Sequence, residues 1–246
     1  MISLFSTCKP FGVDPHVDII QRNAILSWVD MKPAVRPMLI GDESGVRELC
    51  HETGIYHVKD VERVDGVPLV RSLWSQGMSM HMGDVFAYVN ADIILLPNFY
   101  STLEAIASTH NQFMAVGRRW NTNISTPLDF SDGRWISVVY EYIEHGSLYA
   151  ECALDYFCWR GDWWGEIPEY AVGRYVWDNW LLWKPLSIGV PVIDCTESIT
   201  AVHQSHAQLP WHDPVADKNR LAHKGGMCGL KDVRLEFTCG EIKNKT

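Results

Sequence analysis

The sequence predicts one α/β domain with a mostly parallel central sheet flanked by helices, Rossmann-like in plan, with a smaller and less regular region after it. Three observations lead there. Short apolar runs alternate with amphipathic stretches from Ile2 to Gly117, the pattern of a parallel sheet covered on both faces. Several of these runs end in a polar or acidic residue, as strands do when their carboxyl ends form a ligand edge. The chain has 246 residues, 47% of them hydrophobic and 21% charged, enough to bury a full core without staples.

The elements follow in order. Ile2–Ser6 reads as a strand, Val17–Val29 as an amphipathic helix, and Pro37–Gly41 as a strand that ends in Asp42. Gly45–Thr53 reads as a helix, Ile55–Val58 as a short strand, Leu69–Met80 as a helix and Val85–Asn90 as a strand. Asn98–Thr109 is a helix and Phe113–Gly117 a strand. Beyond this point the pattern loosens. Pro127–Tyr149 is polar and turn-rich and reads as a hairpin or lid. Leu154–Trp159 reads as a strand, Val172–Trp183 as a helix, and Val190–Cys195 and Ile199–His203 as the last strands. The tail from Lys218 reads as loop.

Bulk properties exclude several classes. The net charge of -9 argues against nucleic acid as the main partner and against a polybasic membrane dock. No stretch approaches the ~20 apolar residues of a membrane span. Met1–Thr7 has neither a basic n-region nor a long apolar region, which predicts a cytoplasmic protein. The seven cysteines are odd in number and form no CxxC pair, so neither a disulfide framework nor a zinc cluster is expected. No GxGxxG follows the first strand, which disfavours a dinucleotide oxidoreductase. Six of the 11 tryptophans (Trp159, Trp163, Trp164, Trp177, Trp180 and Trp183) crowd into one stretch, and both core packing and sugar-stacking pocket walls would account for them.

Four local patterns carry chemistry. In Phe86–Pro97 an apolar strand runs into Asn90, Ala91 and Asp92, placing an acid at a sheet edge where it can hold a divalent ion or cap a turn. His203 and His206, three apart near a late strand, can complete a metal site or fall together by chance. Arg118 and Arg119 follow a strand directly and can meet a diphosphate or stay solvated. Asp178 lies among tryptophans early in a helix, where a raised pKa would suit a general base; the alternative is a surface acid paired with Arg174.

Three segments together carry a resemblance: Thr7, Lys9, Pro10 and Phe11; then Ile20–Trp28; then Leu39–Gly45. With Tyr88–Leu95, Gly117–Trp120 and His203–His206, this order resembles the GT-A glycosyltransferases, and among them the glycosyltransferase domain of chlorovirus capsid-glycosylating enzymes. The resemblance covers roughly residues 2 to 225 and implies a nucleotide-sugar-binding half (1–120), an acceptor-binding and catalytic half (121–225) and a C-terminal tail (226–246). It implies a UDP-sugar as substrate, Mn²⁺ or Mg²⁺ as cofactor, and a glycan or other hydroxyl as acceptor. Thr7, Lys9, Phe11 and Asp42 would line the nucleobase pocket; Asn90, Ala91 and Asp92 would face ribose and metal–diphosphate; and Arg118 and Arg119 would meet the diphosphate. Asp92 and either or both of His203 and His206 would supply the metal ligands, Asp178 the base of an inverting transfer, and Asp155, Arg160, Trp163 and Trp177 the acceptor contacts. One departure stands out, since the first acid of the family's DxD element is Asn90 here. A sugar-phosphate nucleotidyltransferase would need a glycine-rich basic loop where this chain has Thr7–Val13 with one glycine; a degenerate carbohydrate-binding module has Asn90 as its support.

Overall fold

The computed structural model describes residues 1–80, 83–152, 154–206 and 214–245. The chain opens with β1 (Ile2–Ser6), α1 (Pro15–Asp30), β2 (Val35–Ile40), α2 (Val46–Thr53) and β3 (Tyr56–Val58). A small hairpin of β4 (Arg63–Val64) and β5 (Val67–Pro68) leads to α3 (Val70–Ser79), β6 (Val85–Val89), β7 (Ile93–Leu95), α4 (Asn98–Thr109) and β8 (Phe113–Val116). The second half holds β9 (Trp120–Thr122), α5 (Arg134–Glu144), β10 (Ser147–Leu148), β11 (Tyr156–Arg160), α6 (Trp177–Ser187), β12 (Val192–Asp194) and β13 (Ala201–Gln204). It closes with α7 (Pro214–Ala222), β14 (Leu235–Thr238) and β15 (Glu241–Asn244). No described helix is long and apolar enough to cross a membrane.

Nine strands form the main sheet, in the order β15-β14-β12-β8-β11-β6-β1-β2-β3. β3, β2, β1 and β6 run parallel, as do β8, β12 and β14; β11 lies antiparallel between β6 and β8. The chain winds from β1 out to β3 and then returns to place β6 on the other side of β1. A strand order that reverses like this opens a crevice at the carboxyl ends of the central strands. A second sheet, β10-β9-β13-β7, stands beside that crevice.

Alternation along β1 divides the core. Ile2 and Leu4 face a cluster built from Ala24, Ile25 and Trp28 of α1 and Phe99, Leu103 and Ile106 of α4. Phe5 faces the other side, against Trp74 of α3 and, beyond it, Trp159, Trp177 and Leu181. Trp74 and Trp159 stack with ring centroids 5.3 Å apart and planes 2° from parallel. Four of the six clustered tryptophans (Trp159, Trp164, Trp177 and Trp180) are buried, so the aromatic density of this region is mainly core.

α1 starts where the sequence directs it. The Asp14 carboxylate accepts from the His16 and Val17 N–H groups, and Pro15 occupies a first-turn position that needs no donor. α1 also buries two polar residues, Gln21 and Asn23. Asn23 Nδ2 donates to Gln204 Oε1 (2.9 Å) and to Thr126 O (3.0 Å), and its Oδ1 accepts from Leu128 N (2.9 Å). Gln204 Nε2 donates in turn to Ile20 O (2.7 Å) and Asp92 O (3.2 Å).

Several expectations need correction. Pro127–Tyr149 is not a hairpin or lid; it holds α5, whose Trp135 and Val139 pack on Ile94, Leu96 and Val202 of the second sheet. α6 begins at Trp177 rather than Val172, because the turn through Gly173 (φ 67°) and Val176 (φ 71°) cannot be helical. The tail from Lys218 is not loop: α7 runs to Ala222, and β14 and β15 extend the main sheet beyond β12. Lys245 Nζ locks that hairpin to buried Asp194 at 2.7 Å. All seven cysteines are free thiols.

Asn23→Ala should leave the buried Gln204 Oε1 without its donor and remove two part-buried bonds, to Thr126 O and Leu128 N. We expect a loss of about 2–3 kcal/mol, at ~1–3 kcal/mol for leaving a buried group unsatisfied, measured as a lower urea midpoint with unchanged slope.

Candidate functional site

A cleft of about 840 Å³ opens where the carboxyl ends of β1, β2 and β6 meet the second sheet. Much of its lining continues from strand ends, and α1 adds Val17, Ile20 and Gln21. Thr7 and Lys9 follow β1, Asp42 and Glu43 follow β2, and Asn90, Ala91 and Asp92 follow β6. Arg119 enters from the link between β8 and β9, His203 from β13, and His206 from just beyond it. The β4–β5 hairpin contributes Arg63, and the turn before α6 contributes Arg174.

Asp92, His203 and His206 converge. Their ligating atoms all lie within 4.8 Å of one another. His206 Nε2 stands 2.9 Å and His203 Nε2 3.5 Å from the same oxygen, Asp92 Oδ2. Burial alone would raise the pKa of Asp92, but the hydrogen bonds and charges of the two histidines outweigh it and hold the carboxyl well below its usual range. Asp92 Oδ1 and His203 Nδ1 are buried with no partner among the described residues. Residues three apart on a strand point to opposite faces. His206 reaches the same spot as His203 because the chain leaves β13 after Gln204.

The other acids of the cleft are committed to cations. Asp42 pairs with Lys59 (3.1 Å) and Glu43 with Arg63 (2.7 Å). Asp155, just before β11, forms a buried ion pair with Arg119 and accepts from Asn90 Nδ2 (2.8 Å). Arg119 also lies over the Tyr149 ring, 4.6 Å from its centroid. Asp155 thus sits behind the cleft wall and orients two groups that line it. Backbone bonds fix Lys9: its N–H donates to Gln21 Oε1 (2.6 Å) and its carbonyl accepts from Gln21 Nε2 (3.2 Å).

The structure does not bring every expected residue to this cleft. Phe11 packs against Gly45, at a spot where a Cβ on that glycine would lie 2.6 Å from Phe11 Cβ. Arg118 turns away from its neighbour and donates to the carbonyls of Tyr149 (2.5 Å) and Leu148 (3.4 Å). Arg160 and Trp163 sit at the opposite end of the sheet, because β11 runs antiparallel: Arg160 pairs with Phe113 at the start of β8 and donates to Ala107 O (2.9 Å). Trp163 donates to Arg160 O (3.2 Å) at that same end. Trp177 is buried behind the wall, with its ring against Tyr88, which does line the cleft. Gln21, Glu43, Arg63 and Tyr88 also line the cleft, although the sequence assigned none of them a role there. Two of them had a readable signal, Gln21 as a polar residue on the buried stripe of a helix and Glu43 as a second acid after a strand.

Asp178 occupies the first turn of α6. It is not among the residues that line the cleft; it follows the lining turn Val172–Arg174 by four residues and lies close enough to Asp155 to feel its charge. Burial lifts its pKa to about 7, the Asp155 charge adds to the lift, and the Asn179 backbone N–H works against it.

No protein-family model matches the chain. No curated protein matches it either. Among solved structures it is similar to glucosyl-3-phosphoglycerate synthase from Mycobacterium tuberculosis in complex with Mn²⁺, UDP and phosphoglyceric acid, with a TM-score of 0.50 and 13% identity over 84% of this chain and 72% of that one. This chain has the GT-A fold. A second similar structure, S. aureus TarS 1-349 in complex with UDP-GlcNAc, aligns with 53% of this chain at 12% identity and a TM-score of 0.39. The chain spans 38% of that TarS fragment's length.

Because the folded-state pKa of Asp178 is raised, its charge opposes folding. The penalty is absent below the unfolded pKa near 4, grows as pH rises, and is complete above about 7. Asp178→Asn should therefore match the parent at pH 4 and gain stability progressively to pH 8, by up to about 4 kcal/mol. Thermal melts across that range check the slope.

Proposed function

We propose that the chain is a metal-dependent glycosyltransferase that moves a sugar from a nucleoside diphosphate sugar, with UDP as carrier, to a hydroxyl acceptor such as a glycan, with inversion. The observation that carries this reading is the convergence of Asp92, His203 and His206 inside a cleft at the carboxyl edge of a GT-A sheet.

The residues fit a divalent ion: one carboxylate, two imidazole nitrogens, and a buried Asp92 Oδ1 with no other partner among the described residues. Such an ion, when bound, offsets the charge that grows on a departing diphosphate. The chain's own groups do the rest. Thr7, Lys9 and Asp42 bind the nucleoside end of the cleft. Asn90, its amide nitrogen held by Asp155, keeps its amide oxygen for a ribose hydroxyl, with Ala91 beside it. Arg119 faces the diphosphate, held in orientation by Asp155. Asp178 takes the proton of the acceptor hydroxyl as it attacks the anomeric carbon. A carboxyl with a pKa of about 7 is basic enough to accept that proton near neutrality.

Release of UDP from a panel of UDP-sugars should need a divalent ion and stop in excess chelator. Asp92→Ala should abolish most release while the circular dichroism spectrum stays intact. Release of pyrophosphate instead would favour a nucleotidyltransferase, and sugar binding without turnover a carbohydrate-binding module.

For Asp178→Asn we expect turnover to fall by roughly 10²–10⁴-fold, the acidic limb of the pH–rate profile near 7 to vanish, and KM for the sugar nucleotide to hold. Near-parent turnover, or a product that retains the anomeric configuration, would remove Asp178 from the role of base.

A further inference from the structure

The turn that leads into α6 is strained. Val176 closes it at φ 71° and ψ -18°, a left-handed conformation that a β-branched residue adopts only at a cost. A helix usually starts from an extended residue whose side chain caps it, and Val176 supplies neither the conformation nor the cap. A residue in such a conformation persists only where its surroundings hold the chain on both sides of it.

Here both sides are held by α7 and the chain that follows it. On the near side stands Asn219, fully buried on α7. Its amide makes three hydrogen bonds, all to the backbone of the turn. Oδ1 accepts from Ala171 N (2.7 Å), and Nδ2 donates to Ala171 O (3.0 Å) and Tyr175 O (3.0 Å). The other edge of this stretch is fastened by a bridge from Ala171 to Leu69 and by Val172 N, which donates to Pro68 O (3.0 Å). On the far side, Asn179 Nδ2 donates to Cys228 O (3.0 Å) and Cys228 N donates to Asn179 O (3.1 Å). Trp180 Nε1 donates to Lys224 O (2.6 Å). Asp178 lies between the two clamps, directly before Asn179. With both ends fixed, the backbone between them must take the left-handed step at Val176. That step sets the direction in which α6 leaves the turn.

We propose that Asn219 is a positioning residue, which holds residues 171–176 in their strained form and thereby fixes where Asp178 points. The proposal rests on the reading of Asp178 as the base. Asn219 is not among the residues that line the cleft, so it acts through the turn and not on a substrate.

UDP release and hydrogen exchange on the full chain test this together. Asn219→Ala, with its circular dichroism spectrum unchanged, should lower kcat by about 10–100-fold and hold KM for the sugar nucleotide within about threefold. Amides of residues 171–180 should exchange at least about tenfold faster. Glycine takes the left-handed conformation without the Cβ penalty. In the Val176→Gly background the same Asn219→Ala change should therefore cost kcat less than about threefold. If Asn219→Ala does not fold, Asn219→Asp takes its place in the same cycle, since it keeps the acceptor for Ala171 N and loses both donors. A merely structural Asn219 would lower the melting temperature and leave kcat within about twofold of the parent, which would overturn the proposal. So would equal kcat losses in the two backgrounds, or unchanged exchange over residues 171–180. The two readings fail separately. Near-parent turnover of Asp178→Asn, with exchange faster in Asn219→Ala, would sink the base and leave the clamp. Loss of turnover in Asp178→Asn, with equal kcat losses in both backgrounds, would sink the positioning role alone.

Discussion

The buried amide of Gln204 is the joint on which the cleft depends. It is fully buried on β13, and every polar atom it carries is spent on another element. Its oxygen takes a hydrogen bond from Asn23 of α1, and its nitrogen serves the carbonyls of Ile20 and Asp92. The Gln204 backbone N–H also reaches Asp92 O, at 3.3 Å. A buried polar group without a partner is costly, so the low-energy arrangement has all of these bonds made together. That requirement sets the second sheet against α1 and fixes the turn between β6 and β7. Asp92 lies in that turn, His203 precedes Gln204, and His206 follows it by two residues. The putting together of a carboxylate and two imidazoles from distant parts of the chain is thus a by-product of satisfying one amide.

Around that joint, charge is distributed with little left over. The chain is acidic in total, yet most acids near the cleft are neutralised by a cation and so cannot repel a phosphate-bearing ligand. Arg119 is buried with its counter-ion Asp155, an arrangement that confers little net stability but fixes the direction of a guanidinium. Asp178 is the exception. It is lifted by burial and by the neighbouring Asp155 charge, and it sits in the first turn of α6, behind the residues that line the cleft.

The tryptophans act one layer back. Trp74 stacks on both Tyr88 and Trp159, and Trp177 packs edge-on to Tyr88. Tyr88 is the member of this group that reaches the cleft surface. An aromatic brace therefore ties the wall of the cleft to the first turn of α6, so Trp177 supports the position of Asp178 without facing a ligand itself.

The first half of the fold was legible in the chain because its helices and strands announce themselves locally. Asn98–Thr109 and Ile2–Ser6 fall where periodicity puts them, and the strand-end acids Asp42 and Asp92 follow from where those strands stop. In the second half β11, β12 and β13 overlap the strands expected at Leu154–Trp159, Val190–Cys195 and Ile199–His203, but the other elements were missed or misplaced, for two reasons. Strands of two to four residues such as β9, β10 and β14 carry too few side chains to show a period, and they exist only because a neighbour completes their hydrogen bonds. α5 does carry an apolar stripe at helical spacing, Trp135, Val139 and Ile143, but it is short and the polar, turn-rich flanks on both sides obscured it. Sequence also named Asp92, His203 and His206 by residue type and order. Only tertiary structure decided that they meet, that Arg119 faces the cleft while Arg118 does not, and that Arg160 and Trp163 stand at the far end. The reason is direction: a sequence states which residues follow one another, but the antiparallel run of β11 and the departure from β13 after Gln204 determine which way their side chains point.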